Sequence, residues 1–129
     1  MNVNYICATI LKELEGVLGK IDHAAAENLA KAIMSSGRIF VAGAGRSRLM
    51  IQGLAMRLMQ LGFDAFVVGE TITPSIESKD LLIIGSGSGE TGTLKVIAQG
   101  TKKSGAKLAA ITIFPNSTIG QMADIVIQI

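Results

Sequence analysis

Twice in this chain a short run of branched apolar residues ends in a glycine turn that opens a helix. Ile39-Phe40-Val41 leads into Gly43-Ala44-Gly45-Arg46-Ser47. Leu81-Leu82-Ile83-Ile84 leads into Gly85-Ser86-Gly87-Ser88-Gly89-Glu90-Thr91. An apolar run bounded by glycine reads as a strand buried on both faces, and such strands belong to parallel sheets. Parallel neighbours need a crossover, supplied here by the helix after each turn. The same two turns are suited to an anion. Glycine lets the backbone approach closely, and a helix start offers free N–H groups.

The rest of the chain extends the alternation. Tyr5, Ile6, Ile10, Leu11, Leu14 and Leu18 recur at helical spacing, and Gly19 ends that helix. Asp22 caps a second helix running to about Ser36, with Ala25, Leu29, Ala32 and Ile33 as its apolar positions. Strands follow at Arg38–Ala42, Asp64–Val68, Asp80–Ile84, Lys107–Ile113 and Asp124–Ile129. Helices fill Ser47–Leu61, Thr91–Ser104 and Ser117–Met122, and a loop with Pro74 fills Gly69–Ser78. The expected fold class is α/β: a three-layer, doubly wound, five-stranded parallel sheet of order 2-1-3-4-5, flavodoxin-like, with two N-terminal helices. Residues 1–36 form the helical pair and 37–129 the core of a single domain. In that order both glycine loops leave adjacent strands at the point where the winding reverses, so they line one crevice.

Composition narrows the function. The 129 residues suffice for one core, with 49% apolar and 17% charged. Aromatic residues make up only 4%, so the core is expected to be aliphatic. Net charge is +2 with scattered basic residues, which fits neither a nucleic-acid stripe nor an aromatic stacking platform. The one cysteine, Cys7, excludes an internal disulfide and a multi-cysteine metal site, and no histidine stands beside it to activate it. No apolar run reaches the ~18 residues of a membrane span, and the N-terminus lacks the pattern of a signal peptide. The chain reads as cytoplasmic, with no membrane or nucleic-acid partner.

Three phosphate chemistries compete for the loops. A nucleotide P-loop requires Lys-Ser or Lys-Thr after its last glycine, and neither loop has it. A dinucleotide fingerprint requires a third glycine three residues after the second; Arg48 and Glu90 stand there instead. Glu70 stands where the ribose-binding acid of such a fold would be. The third reading is a small sugar phosphate, with Ser86, Ser88 and Thr91 donating hydroxyl bonds and Ser47 reaching in from the facing loop. A plain flexible turn is the remaining alternative, although a strand-to-helix turn rarely uses so many small polar residues.

The stretch Gly85-Ser86-Gly87-Ser88-Gly89-Glu90-Thr91 resembles the signature of the sugar isomerase (SIS) domain. More narrowly, the chain is similar to the 6-phospho-3-hexuloisomerases. Gly43-Ala44-Gly45-Arg46-Ser47, Ala55-Met56-Arg57-Leu58-Met59, Leu61-Gly62-Phe63, Val68-Gly69-Glu70-Thr71 and Pro74 carry that likeness. It covers essentially the whole chain. The resemblance implies a homo-oligomer, a tetramer, that converts the 3-keto hexulose 6-phosphate to fructose 6-phosphate without a metal or organic cofactor. It assigns substrate binding to Ser47, Ser86, Gly87, Ser88, Gly89, Glu90 and Thr91.

Moving a carbonyl by one carbon requires a base and an acid. The resemblance puts the base on a glutamate in a helical segment expected after the fifth strand, beyond Ile129. It also implies histidine where Gln60 stands and a small residue where Arg48 stands. Glutamine hydrogen-bonds but does not shuttle protons. Arg48 is expected either to crowd the loop or to add a phosphate contact. His23, the only histidine, reads as a surface residue, and Glu70 as either a partner for a sugar hydroxyl or a structural group. Arg46 reads as a phosphate or carbonyl ligand, or as a surface salt bridge. Glu90, beside an expected dianion, is expected to face away or to accept from a backbone N–H. Met50, Met56 and Met59 are expected to fill core or subunit contacts. Three functions follow: a phosphosugar isomerase, a non-catalytic sugar-phosphate sensor, and a dinucleotide-binding oxidoreductase fragment.

Overall fold

Five strands pair in the order β2-β1-β3-β4-β5, and every pairing is parallel. The computed structural model describes all residues, 1–129. Its elements in chain order are α1 (Val3–Leu18), α2 (His23–Ser35), β1 (Ile39–Gly43), α3 (Gly45–Gln60), β2 (Ala65–Val67), β3 (Leu81–Gly85), α4 (Gly92–Ser104), β4 (Lys107–Thr112), α5 (Thr118–Met122) and β5 (Ile125–Gln128). The strand order is the expected one, with its reversal between β1 and β3.

The period-2 rule sorts the core into two faces. Ile39, Val41, Leu81, Ile83 and Ala109 pack against Ala32 of α2 and Ile51, Ala55 and Leu58 of α3. Phe40, Ala42, Leu82, Ile84, Leu108 and Ala110 pack against Leu94 and Ala98 of α4 and Ile119 of α5. The result is three layers: α2 and α3, the sheet, then α4 and α5. Strands β1 and β3 are buried along their whole length, as continuous apolar runs require. One aromatic interrupts the aliphatic core: Phe40 is fully buried and stacks on Phe66 at 5.3 Å between centroids.

One ion pair anchors the end of the sheet remote from the glycine loops. Asp80 is buried, and its carboxylate accepts from Arg38 Nη2 at 2.7 Å, Arg38 Nε at 3.1 Å and Glu77 N at 2.7 Å. Burial alone would push its carboxyl up. The bonds from Arg38 and Glu77 outweigh that and hold it below the usual range.

Two apolar surfaces lie open, and for the methionines only the core half of the expectation is excluded. Met50, Met56 and Met59 are exposed, so none fills the core. The apolar stripe of α1 is also uncovered: no residue of that helix is buried, and Tyr5, Leu11 and Leu18 are among its exposed side chains.

Candidate functional site

Gly43 and Gly85 are register partners at the ends of β1 and β3. Both glycine loops therefore start level and open into one cleft of about 490 Å³. Arg46 and Ser47 line it from the first loop, and Ser86 and Gly87 from the second. Its apolar wall includes Ile51 and Leu54 of α3, Ile111 of β4 and Ile113.

Close packing explains the glycines. A Cβ on Gly43 would lie 2.9 Å from the backbone of Arg48, and Gly45 enters α3 at φ +56°. Gly89 has φ +65°, and a Cβ there would collide with the hydroxyl of Ser117. Any side chain at Gly43 or Gly89 would push the loop away from its neighbour.

The second loop is held from within. Ser86 Oγ accepts from Gly89 N at 3.0 Å, and Ser88 Oγ accepts from Glu90 N at 3.1 Å. A hydroxyl that accepts one bond still has its own O–H to donate. Both serines therefore brace the loop and keep a proton available to a ligand. The backbone N–H groups of Gly87, Ser88 and Thr91 donate to no group of the protein.

Helix capping separates the two helices at this cleft from the others. Asn2, Asp22 and Ser117 cap α1, α2 and α5 with side-chain oxygens. The helices that start at the glycine loops, α3 and α4, have no side-chain cap; Ala44 and Thr91 stand at those positions without such a bond. Their first-turn donors are the ones left for an external acceptor.

The remaining candidates are placed as follows. Ser88, Gly89, Glu90 and Thr91 belong to the same loop but do not line the cleft. Glu90 turns to α5, where it accepts from Thr118 N at 2.7 Å and from the Thr118 hydroxyl at 2.5 Å. Those two bonds hold its carboxyl below the usual range. Arg48 neither crowds the loop nor enters the cleft. Its guanidinium donates to Val68 O at 3.2 Å and to Glu70 at 2.9 Å, which also occupies Glu70. His23 is exposed beside Glu27 at 3.4 Å, and Cys7 is exposed. Gln60 accepts from Arg57 at the far end of α3. It lies 13 residues after Ser47, about 20 Å along the helix. One copy of the chain does not bring Gln60 to the cleft. Arg46 is the one ionisable side chain among the lining residues. No group of three His, Cys, Asp or Glu side chains is placed to hold a metal ion.

Sequence reasoning missed Thr112, Ser117 and Thr118. Thr112 Oγ1 donates to Gly87 O and accepts from Phe114 N, and Ser117 supports Gly89. Ser117 was legible only as the start of a short helix, and its contact with a loop 28 residues earlier has no sequence signal.

The model of the SIS domain matches residues 32–129, which include every residue of the cleft. The chain belongs to the SIS domain family. Among its relatives, the 3-hexulose-6-phosphate isomerase of Bacillus subtilis (strain 168) is 48% identical over 128 residues, 99% of this chain and 69% of that protein. The 3-hexulose-6-phosphate isomerase of Mycobacterium gastri is 44% identical over 117 residues, 91% of this chain and 59% of that protein. The chain thus spans between about three-fifths and seven-tenths of these relatives' lengths. A crystal structure of a hypothetical protein superposes with a TM-score of 0.92 at 38% identity, covering 98% of this chain and 68% of that one. Within the SIS fold, the serine-rich loop after β3 and the Arg46–Ser47 turn after β1 form the two lips of the cleft.

Proposed function

We propose that this chain is the sugar-phosphate-binding domain of an isomerase that interconverts a 3-keto hexulose 6-phosphate and fructose 6-phosphate. The observation that carries the reading is the capping contrast. Both helices that open at the cleft lack side-chain caps, while the other three have them. A dianion at the cleft would take the place of the missing caps and accept from the hydroxyls of Ser47 and Ser86, which line it. Two relatives above 40% identity with 3-hexulose-6-phosphate isomerase names support the choice of sugar.

The chemistry follows from the substrate. A base removes the C2 proton of the 3-keto sugar, giving an enediol. The enediol is protonated at C3, and the carbonyl reforms at C2. Arg46 at the cleft rim is suited to stabilise negative charge on the enediol oxygens. No lining residue is a base, so the proton is moved by a group from outside this lining.

The finer assignments belong to the same proposal. The protein works in the cytoplasm as a homo-oligomer, a tetramer. The open stripe of α1 and the exposed Met50, Met56 and Met59 of α3 supply its apolar contact surface.

The absence of a base from the cleft favours one second reading, a sugar-phosphate sensor that binds without turnover. Incubating the protein with the 3-keto hexulose 6-phosphate and following fructose 6-phosphate by NMR separates the two. Turnover supports the isomerase, binding without turnover supports the sensor, and no binding rejects both.

A further inference from the structure

The contact between the phosphate loop and the short helix α5 is denser than a structural turn requires. Glu90 gives both carboxylate oxygens to Thr118, one to its backbone N–H at 2.7 Å and one to its hydroxyl at 2.5 Å. One residue earlier, Gly89 O accepts from Ile119 N at 3.1 Å. The Cα of Gly89 packs on Ser117, leaving no room for a Cβ. Ser117 in turn accepts from Gly120 N at 3.2 Å. Gly120 is pressed against Pro115 O so closely that it too has no room for a side chain. Three consecutive residues of α5 and its cap thus grip two consecutive residues of the loop.

We propose that Glu90 is a positioning residue rather than a ligand contact: by clamping Thr118 it docks α5 on the β3–α4 loop and so fixes Ser86, which accepts from Gly89 N, and the free N–H of Gly87 for the phosphate. This rests on the phosphate-cleft reading above. The direction of the side chain supports it. A carboxylate aimed at a bound dianion would repel it; this one points to α5, with Lys95 Nζ 3.8 Å away as its nearest counter-charge. No other ionic partner is paired with it, and α5 itself carries no charged side chain.

The chemistry of the clamp selects the variants. In Glu90→Gln the amide oxygen still accepts from Thr118 N, and the amide N–H donates to the Thr118 hydroxyl oxygen. The clamp survives without its charge. Glu90→Ala removes it. Thr118→Val removes the hydroxyl half, and Thr118→Ser keeps both halves.

The test measures fructose 6-phosphate affinity by titration calorimetry and amide hydrogen exchange at Gly89, Glu90 and Ile119. Glu90→Ala is expected to weaken binding about tenfold, with Glu90→Gln and Thr118→Ser near wild type. Glu90→Ala combined with Thr118→Val should bind no worse than Glu90→Ala alone, because both act through one contact. A direct role for Glu90 as ligand or base predicts the reverse: Glu90→Gln as damaging as Glu90→Ala, and Thr118→Val silent. That pattern, or additive losses, overturns the proposal. If the wild-type protein binds no sugar phosphate, the phosphate-cleft reading fails by itself. Exchange still judges the clamp: faster exchange at Ile119 in Glu90→Ala but not in Glu90→Gln upholds it, and unchanged exchange in both overturns it.

Discussion

Gly43 and Gly85 face each other as the last residues of adjacent parallel strands. This one register relationship makes a single cleft from two loops 42 residues apart in sequence. It puts Ser47 at the first turn of α3 across from Ser86 at the exit of β3, and both line the cleft. Slipping the pair by one residue would turn every β3 side chain to the opposite face, so core burial on both sides of the sheet holds the cleft in place.

Gly89 is the least replaceable residue of the loop. Its φ of +65° disfavours any side chain, and a Cβ would overlap Ser117. Gly89→Ala should cost more than about 2 kcal/mol in stability, measured by urea unfolding. Gly92→Ala, where a Cβ meets nothing, is the control and should be near neutral. Equal stabilities for the two variants would show that the loop does not rest on α5.

Ser86 and Ser88 both brace the loop, and under the proposed function Ser86 also donates to the phosphate. Ser86→Ala combined with Ser88→Ala removes both braces of the loop and, at Ser86, a bond to a charged group worth ~1.5–3 kcal/mol. Sugar-phosphate affinity should fall about tenfold or more, while affinity for the unphosphorylated sugar stays as it was. Unchanged affinity for the phosphorylated sugar would put the phosphate elsewhere.

Asp80 ties stability to pH. Its folded pKa is depressed, because the bonds from Arg38 and Glu77 outweigh the burial that would raise it. A depressed carboxylate stabilises the fold above its unfolded pKa of about 3.9, and that contribution is lost as pH falls through the folded value. Asp80→Asn should lose about 1.5–3 kcal/mol at pH 7, since it weakens the charge-assisted bonds that buried Asp80 accepts from Arg38 and Glu77 N. The gap between wild type and variant should narrow steadily below about pH 4. A gap independent of pH would mean that the pair contributes through packing and not through charge.

Most of the architecture was legible in the sequence, because strand and helix periods alternate and glycine or a capping side chain marks most boundaries. Asp22 capped α2 as expected, and Gly105, at φ +82°, closed α4 in the left-handed conformation. The sequence was mute about partners distant along the chain. Arg38 and Asp80 are 42 residues apart, Arg48 and Glu70 are 22, and Glu90 and Thr118 are 28. Each pair meets because parallel crossovers bring loops from different strands to the same edge of the sheet, and no local pattern records that. The methionines of α3 stayed open between core and subunit contact for a related reason. An apolar residue on a helix looks the same in sequence whether its face meets the sheet or another molecule.

The central claim is that the two glycine loops form one phosphate site, and backbone NMR tests it most directly. Fructose 6-phosphate is titrated into the ¹⁵N-labelled protein, with fructose as the unphosphorylated control. The account predicts that the amides of Ser47 and Gly87, one from each loop, shift together with a single affinity, and that fructose alone leaves them near their starting positions. Shifts confined to one loop, or centred away from both, would contradict it.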